Sequence, residues 1–179
     1  MPSREIDDPV LERRRLQALT QIRQFGDPVL RTPTLEITAF DETLRDDVER
    51  MGAIMRDAAG VGLAAPQVGS LRRLMVLRPD GDGPVIALCN PHIVWRSDEE
   101  DVAEEGCLSL GEIAVEVSRP VAIRVEAQDL AGKPLLLEPE GFAARVIQHE
   151  VDHLDGVLIL DRTTPEQRRE ALRALRNGG

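Results

Sequence analysis

Two of the three histidines in the chain, His149 and His153, stand four residues apart, and Glu150 directly follows the first. On a helix, where each residue turns roughly 100°, positions four apart share a face one turn from each other. Both imidazoles can then reach one metal ion, while Glu150 reaches only its edge. This is the H-E-x-x-H arrangement, in which two rings bind a metal and the carboxylate handles the proton of a water beside it. An ordinary buried helix also fits the spacing, because Phe142, Ala143, Val146, Ile147, Val151, Leu154 and Val157 are apolar. Burying two imidazoles and a carboxylate on neighbouring turns without a cation is costly, since Glu150 would need partners or a proton. The metal reading is preferred, and it requires a third ligand.

A hydrolytic metal site needs three protein ligands and one open position. Three residues past Gly156 stands Ile159, where a longer histidine motif would carry its third ring. The downstream acids Glu166 and Glu170 fall in a charged C-terminal segment. Cys107 remains, in Glu104-Glu105-Gly106-Cys107-Leu108-Ser109. A thiolate binds such a metal at about 2.3 Å, and a glycine beside it lets the backbone come close. A lone cysteine is more often a small buried hydrophobe, and Cys89, after the apolar run Val85–Leu88, keeps that reading.

Three separated stretches resemble the peptide deformylases. Gly60-Val61-Gly62-Leu63-Ala64-Ala65-Pro66-Gln67 is similar to that family's first motif, Glu105-Gly106-Cys107-Leu108-Ser109 to its second, and Gln148 through Gly156 to its third. Order and approximate spacing agree, and the resemblance runs from about Ile22 to Arg162. It implies that Cys107, His149 and His153 bind one divalent metal ion per chain, characteristically Fe(II) and replaceable by Zn(II), Ni(II) or Co(II). It implies further that Glu150 is the general acid/base and that Gln67 and the backbone N–H of Leu108 hold the oxyanion. The implied reaction removes the formyl group from the initiator N-formylmethionine of new peptides and releases formate.

The residue types suit that chemistry. A formyl carbonyl under attack becomes a tetrahedral oxyanion and needs donors aimed at the developing charge. Gln67 carries an amide N–H₂, and a carboxylate such as Glu150 can take a proton from water and return it to the leaving amine. An N-formylmethionyl peptide would lie extended beside the metal, as the resemblance implies, with its side chain in an apolar pocket. The expected lining is Val61, Gly62, Leu63, Phe142, Val146 and the aliphatic stem of Arg145. A ligand imidazole donates its other N–H to a carboxylate or carbonyl. Glu105 is expected in that role, with Arg119 paired to it. Asp152 and Asp155 read equally well as solvated or helix-end carboxylates. Two departures from the family bear on substrate preference: Leu110-Gly111-Glu112 follows Ser109, where a proline is frequent, and Ala114 replaces an arginine of some members.

The elements that must position these groups follow from the pattern. With 179 residues and a net charge of −10, the chain has the size of a single domain and the wrong charge for a general DNA binder. Residues 1–20 read as an N-terminal extension and 21–179 as a single catalytic domain. The first eight residues carry acids and no apolar run, so no secretory signal is expected, and no stretch has the length of a membrane span. Reduced cysteines and a cytoplasmic location are the corresponding expectations. Helices are expected over Pro9–Gln24, from Asp41 to about Ala58, from Gly141 to Gly156, and after Thr164-Pro165. Strands are expected at Leu74–Leu77, Val85–Leu88, Ile93–Trp95, Ile113–Val117, Val121–Ala127 and Leu135–Leu137, with a further short one at Val157–Leu160. The run Asp98-Glu99-Glu100-Asp101 reads as a solvated loop, and His92 as a surface histidine. The result is an α+β fold: short, mainly antiparallel sheets around a central metal-binding helix, flanked by N- and C-terminal helices. The last helix sets Arg168, Arg169, Arg173 and Arg176 against Glu166 and Glu170. That is first a solvated face with i,i+4 pairs. By resemblance it is also a candidate ribosome contact.

Overall fold

The apolar face of the helix carrying the paired histidines has to be covered, and a sheet covers it. The structure is a computed structural model and describes residues 8–81 and 83–177; residues 1–7 of the expected extension lie outside the described residues. Its helices are α1 (Pro9–Leu19), α2 (Glu42–Asp57), α3 (Gly141–Leu154) and α4 (Pro165–Asn177). Its strands are β1 (Gly62–Ala64), β2 (Leu74–Leu77), β3 (Ile86–Arg96), β4 (Glu100–Gly106), β5 (Ala114–Pro120), β6 (Ile123–Gln128) and β7 (Pro134–Leu137). Five strands form an antiparallel sheet in the order β1-β2-β3-β6-β7, and β4 and β5 form a separate antiparallel pair. The fold is α+β.

Strand β2 shows what holds the layers. Successive side chains of a strand point to opposite faces. Leu74 and Val76 join Leu44, Met51, Ile54 and Met55 of α2, whereas Met75 and Leu77 join Ala144, Val146, Ile147 and Val151 of α3. The sheet is therefore packed between α2 and α3. Each such side chain contributes about 1.5–3 kcal/mol on full burial, so an aspartate at Val151 would lift α3 and both its histidines off the sheet.

Capping fixes where α2 begins and ends. Asp41 Oδ1 accepts from Leu44 N–H at 3.1 Å. At the other end Gly60 N–H reaches back to the Met55 carbonyl at 2.8 Å, with Ala59 at φ 57° in the left-handed region. This stop delivers the chain directly into β1. Thr164 caps α4, accepting from Gln167 N–H at 3.3 Å. Ala171, Leu172 and Leu175 of α4 pack with Val115 and Val117 of β5.

Several expectations need correction. The first helix stops at Leu19, not Gln24. The two short strands at 85–88 and 93–95 are one strand, β3, carried through Asn90-Pro91 by a register shift. Asn90 adopts φ 52° there, and its amide bonds Ile37 N–H and C=O at 2.7 and 2.9 Å. Side-chain bonding replaces the ladder bonds that a bulge gives up. Glu100 and Asp101 are not loop: they open β4, an acid-rich strand specified by its pairing with β5. Val157–Leu160 is no strand; Ile159–Asp161 forms a 3₁₀ turn.

Candidate metal centre and active site

Cys107 leaves β4 in extended conformation just before a 3₁₀ turn at Leu108–Leu110. The hairpin places it over α3, where His149 and His153 present their rings with centroids 5.0 Å apart. Ligand atoms of Cys107, His149 and His153 all lie within 4.8 Å of one another, and Cys107 Sγ is 3.3 Å from His153 Nε2. The sequence separates the thiol from the rings by more than forty residues, and the fold brings them together.

The donor set fits a divalent metal. His149 Nδ1 faces Glu105 Oε2 at 3.0 Å, which leaves Nε2 for the cluster. Cys107 is buried, which opposes charge, yet the two imidazoles hold its thiol well below the ordinary range. Burial likewise opposes charge on His149, and the thiolate and Glu105 together raise it well above its usual value. Thiolate and imidazolium hold each other here by a proton that a divalent cation would displace, binding the thiolate and the neutral rings in its place. His153 Nδ1 and Glu150 Oε2 are buried without a hydrogen-bond partner among the described residues. Such atoms call for water, an ion or a substrate. Cys89 is the contrast: burial pushes it up to about 11, an inert thiol.

Glu150 lies beside β1. A Cβ added at Gly62 would run into Glu150 Oε1 and approach its Cδ to 2.9 Å, so the glycine lets the backbone pass directly against this carboxylate. Burial raises Glu150 above the ordinary carboxylate range, although both imidazoles pull it down. Gln67 is held at its carbonyl end, where Oε1 accepts from Ala64 N–H at 3.0 Å. Its Nε2 points toward the cluster, 3.2 Å from Ser109 Oγ and 3.7 Å from Cys107 Sγ.

These groups border a cleft of about 360 Å³ that includes Gly60, Gln67, Glu105, Cys107, His149 and Glu150. Of the expected pocket residues, Val61, Gly62, Phe142, Arg145 and Val146 border it, and so does Leu108. Leu63 does not. It is fully buried in the α2 cluster, because alternation along β1 turns it away from the cleft. Glu166 pairs with Arg169 on exposed α4, so it is no ligand.

A Polypeptide deformylase family model matches residues 19–169 of this sequence. The chain belongs to the polypeptide deformylase family. The peptide deformylase of Thermotoga maritima is 52% identical over 148 residues, which cover 83% of this chain and 89% of that one. The crystal structure of the Thermotoga maritima peptide deformylase superposes with a TM-score of 0.78 at 50% identity, covering 80% of this chain and 97% of that chain. The plant peptide deformylase 1B of Arabidopsis thaliana, solved with an inhibitor, gives a TM-score of 0.83 at 41% identity over 87% of this chain and 89% of its own. As a deformylase the chain is a hydrolase that acts on an N-formyl group.

The candidate site rests on a buried ionic network that the sequence disclosed only in part. Arg119 donates through Nε and Nη2 to both oxygens of Glu105 at 2.6 and 2.9 Å, and through Nη1 to Asp152 at 2.9 Å. Arg145 Nη1 adds a third donor to Glu105 at 2.8 Å, so its guanidinium serves Glu105 as well as the cleft wall. Arg162 closes the far side on Asp152 Oδ1 at 2.7 Å. Despite burial, Arg119 and His149 hold Glu105 down at about 2. Asp152 is thus no solvated carboxylate. Its sign was its position seven residues after Arg145, on the same side of α3. Ser109, fully buried under Gln67, belongs to the second motif, but nothing in that motif assigns it a role. Asp155 does sit at the helix end, half-exposed and paired with Arg73 at 2.7 Å.

Proposed function

We propose that this chain removes the formyl group of N-formylmethionyl peptides with Cys107, His149 and His153 as metal ligands and Glu150 as general acid/base. The observation that carries the reading is the buried Glu150 carboxylate beside a Cys-His-His cluster at the floor of an open cleft. When bound, the metal supplies Lewis acidity and a water of lowered pKa.

The chain's residues do the rest. Glu150, raised by burial, takes a proton from the attacking water and returns it to the departing amine. Water adds to the formyl carbon, the C–N bond breaks, and formate and a free amino terminus leave. Gln67 Nε2 and the N–H of Leu108 donate to the carbonyl oxygen as it gains charge. Glu105, backed by Arg119, orients His149. Strand β1 lies at the sheet edge, so the peptide can align beside Val61 and Gly62 as an added strand. Phe142 and Val146 then meet the methionine side chain.

Fe(II) is the proposed resident metal on the strength of the family resemblance; the Cys-His-His set itself accepts iron and zinc alike, and availability decides between them. Activity should decay in air through oxidation of iron and thiolate, and equal lifetimes with and without oxygen would point to zinc. We place the protein in the cytoplasm, with residues 21–179 as the catalytic domain. None of its helices is long and apolar enough to cross a membrane among the described residues. The basic face of α4 is proposed to touch the ribosome. Because Ala171, Leu172 and Leu175 pack inward, Arg169→Glu with Arg173→Glu tests this better than truncation. Release of formate from formyl-Met-Ala-Ser tests the whole reading, and its absence from metal-loaded protein would refute it.

A further inference from the structure

Three consecutive residues outside the metal cluster bridge the two stretches that carry the oxyanion donors. Arg23 N–H donates to the Gln67 carbonyl at 2.7 Å, Gln24 Nε2 to the Leu108 carbonyl at 3.1 Å, and Phe25 N–H to the Ser109 carbonyl at 2.8 Å. The bridge is anchored on both sides. Ile22 is buried with the α2 cluster, and Phe25 packs against the cluster that contains Cys107 and Leu110.

We propose that Arg23–Phe25 is a positioning strap that sets the Gln67 amide and the Leu108 N–H against each other, with Gln24 as its positioning residue. The proposal rests on the oxyanion roles assigned above. The two donors come from segments about forty residues apart, Gln67 from the 3₁₀ turn after β1 and Leu108 from the turn after β4. Neither segment's local fold dictates where the other lies. Donors act only when they sit about 2.7–3.1 Å from the place where charge develops, and a 1 Å misplacement can cost about 10²-fold. Leu110 N–H, bonded to the Cys107 carbonyl at 2.9 Å, fixes the peptide unit that carries the Leu108 N–H. Gln24 fixes the next unit through the Leu108 carbonyl. Together they set the direction of the donor.

Gln24 is exposed, is neither a metal ligand nor part of the cleft lining, and reaches that lining through the Leu108 carbonyl, so its variants leave the core intact. Gln24→Glu keeps the side-chain length and replaces the donor with an acceptor facing a carbonyl. Turnover should fall about tenfold, the worth of one well-placed hydrogen bond. KM should stay within about twofold, since ground-state contacts are untouched. Metal affinity in chelator competition should not change. Gln24→Ala should behave alike, and on a Gln67→Ala background either change should cost less than on the wild type. Unchanged kcat in Gln24→Glu while Gln67→Ala is impaired would overturn the strap alone. A kcat loss matched by lost metal affinity would also overturn it, as general support of the fold. Full turnover in Gln67→Ala would overturn the oxyanion reading and the strap with it.

Discussion

The floor and the mouth of the cleft are built on opposite plans. At the floor, Glu105, Arg119 and Asp152 are buried and His149 is partly buried, and each is bonded to at least one other charged or ring group. At the mouth, Val61 and Phe142 stand exposed beside glycines 60, 62 and 111, and only Arg145 belongs to the floor's network. The floor holds its geometry by charges in a dry interior, where a missing partner is expensive. The mouth, where the proposed function puts the peptide, offers shape and apolar contact, so a missing side chain there should be cheap. Position in the cleft, more than residue type, should decide how much a substitution costs.

The largest effect is expected at the floor itself. Glu150→Ala should lower formate release by about 10²–10⁴-fold with metal stoichiometry unchanged. Full activity would remove Glu150 from the mechanism. Arg119→Leu should come next, leaving Glu105 and Asp152 buried without their shared cation, at about 3–5 kcal/mol of stability. Thermal unfolding reads this directly, and an unchanged Tm would show that the network is not cooperative. Gly62→Ala is the boundary case, a mouth residue whose added methyl runs into a floor carboxylate. It should cost about 10²-fold in kcat by displacing Glu150, and a rise in KM alone would mean that Glu150 accommodates the methyl.

The mouth should respond weakly. Phe142→Ala removes an exposed ring and should raise KM about fivefold with kcat nearly constant; a fall in kcat would make Phe142 part of the floor. The smallest change is favourable. Ala59→Gly relieves the left-handed backbone at the end of α2 and should add about 0.5–1 kcal/mol to stability. A destabilised variant would show that the alanine methyl is in contact, not in strain.

Part of this division was readable in the chain. His149, Glu150 and His153 announce themselves because helical periodicity converts a spacing of four into a shared face. Glu105, with Arg119 beside it, follows from the general need of a ligand imidazole for an acceptor. Leu63 was misplaced because periodicity along β1 depends on which face the cleft takes. The acid run at 98–101 looked like loop since charge composition says nothing about a strand whose partner lies at Ala114–Pro120. Asp152 is ambiguous in the sequence because its partner Arg119 comes from a distant strand and Arg162 from beyond the helix end.

By itself the sequence determined which groups are candidates for the reaction, the helix that carries His149, Glu150 and His153, and the mixed α and β character, because local spacing and side-chain chemistry act over a few residues. Tertiary structure alone decided that Cys107 meets the paired rings, that Asp152 joins a buried ionic chain, and that Gln24 reaches the Leu108 carbonyl. Those contacts join residues from about thirty to more than eighty positions apart. They exist only once the packing of α3 against the sheet and of β4 against β5 has offset the entropy of closing the loops between them.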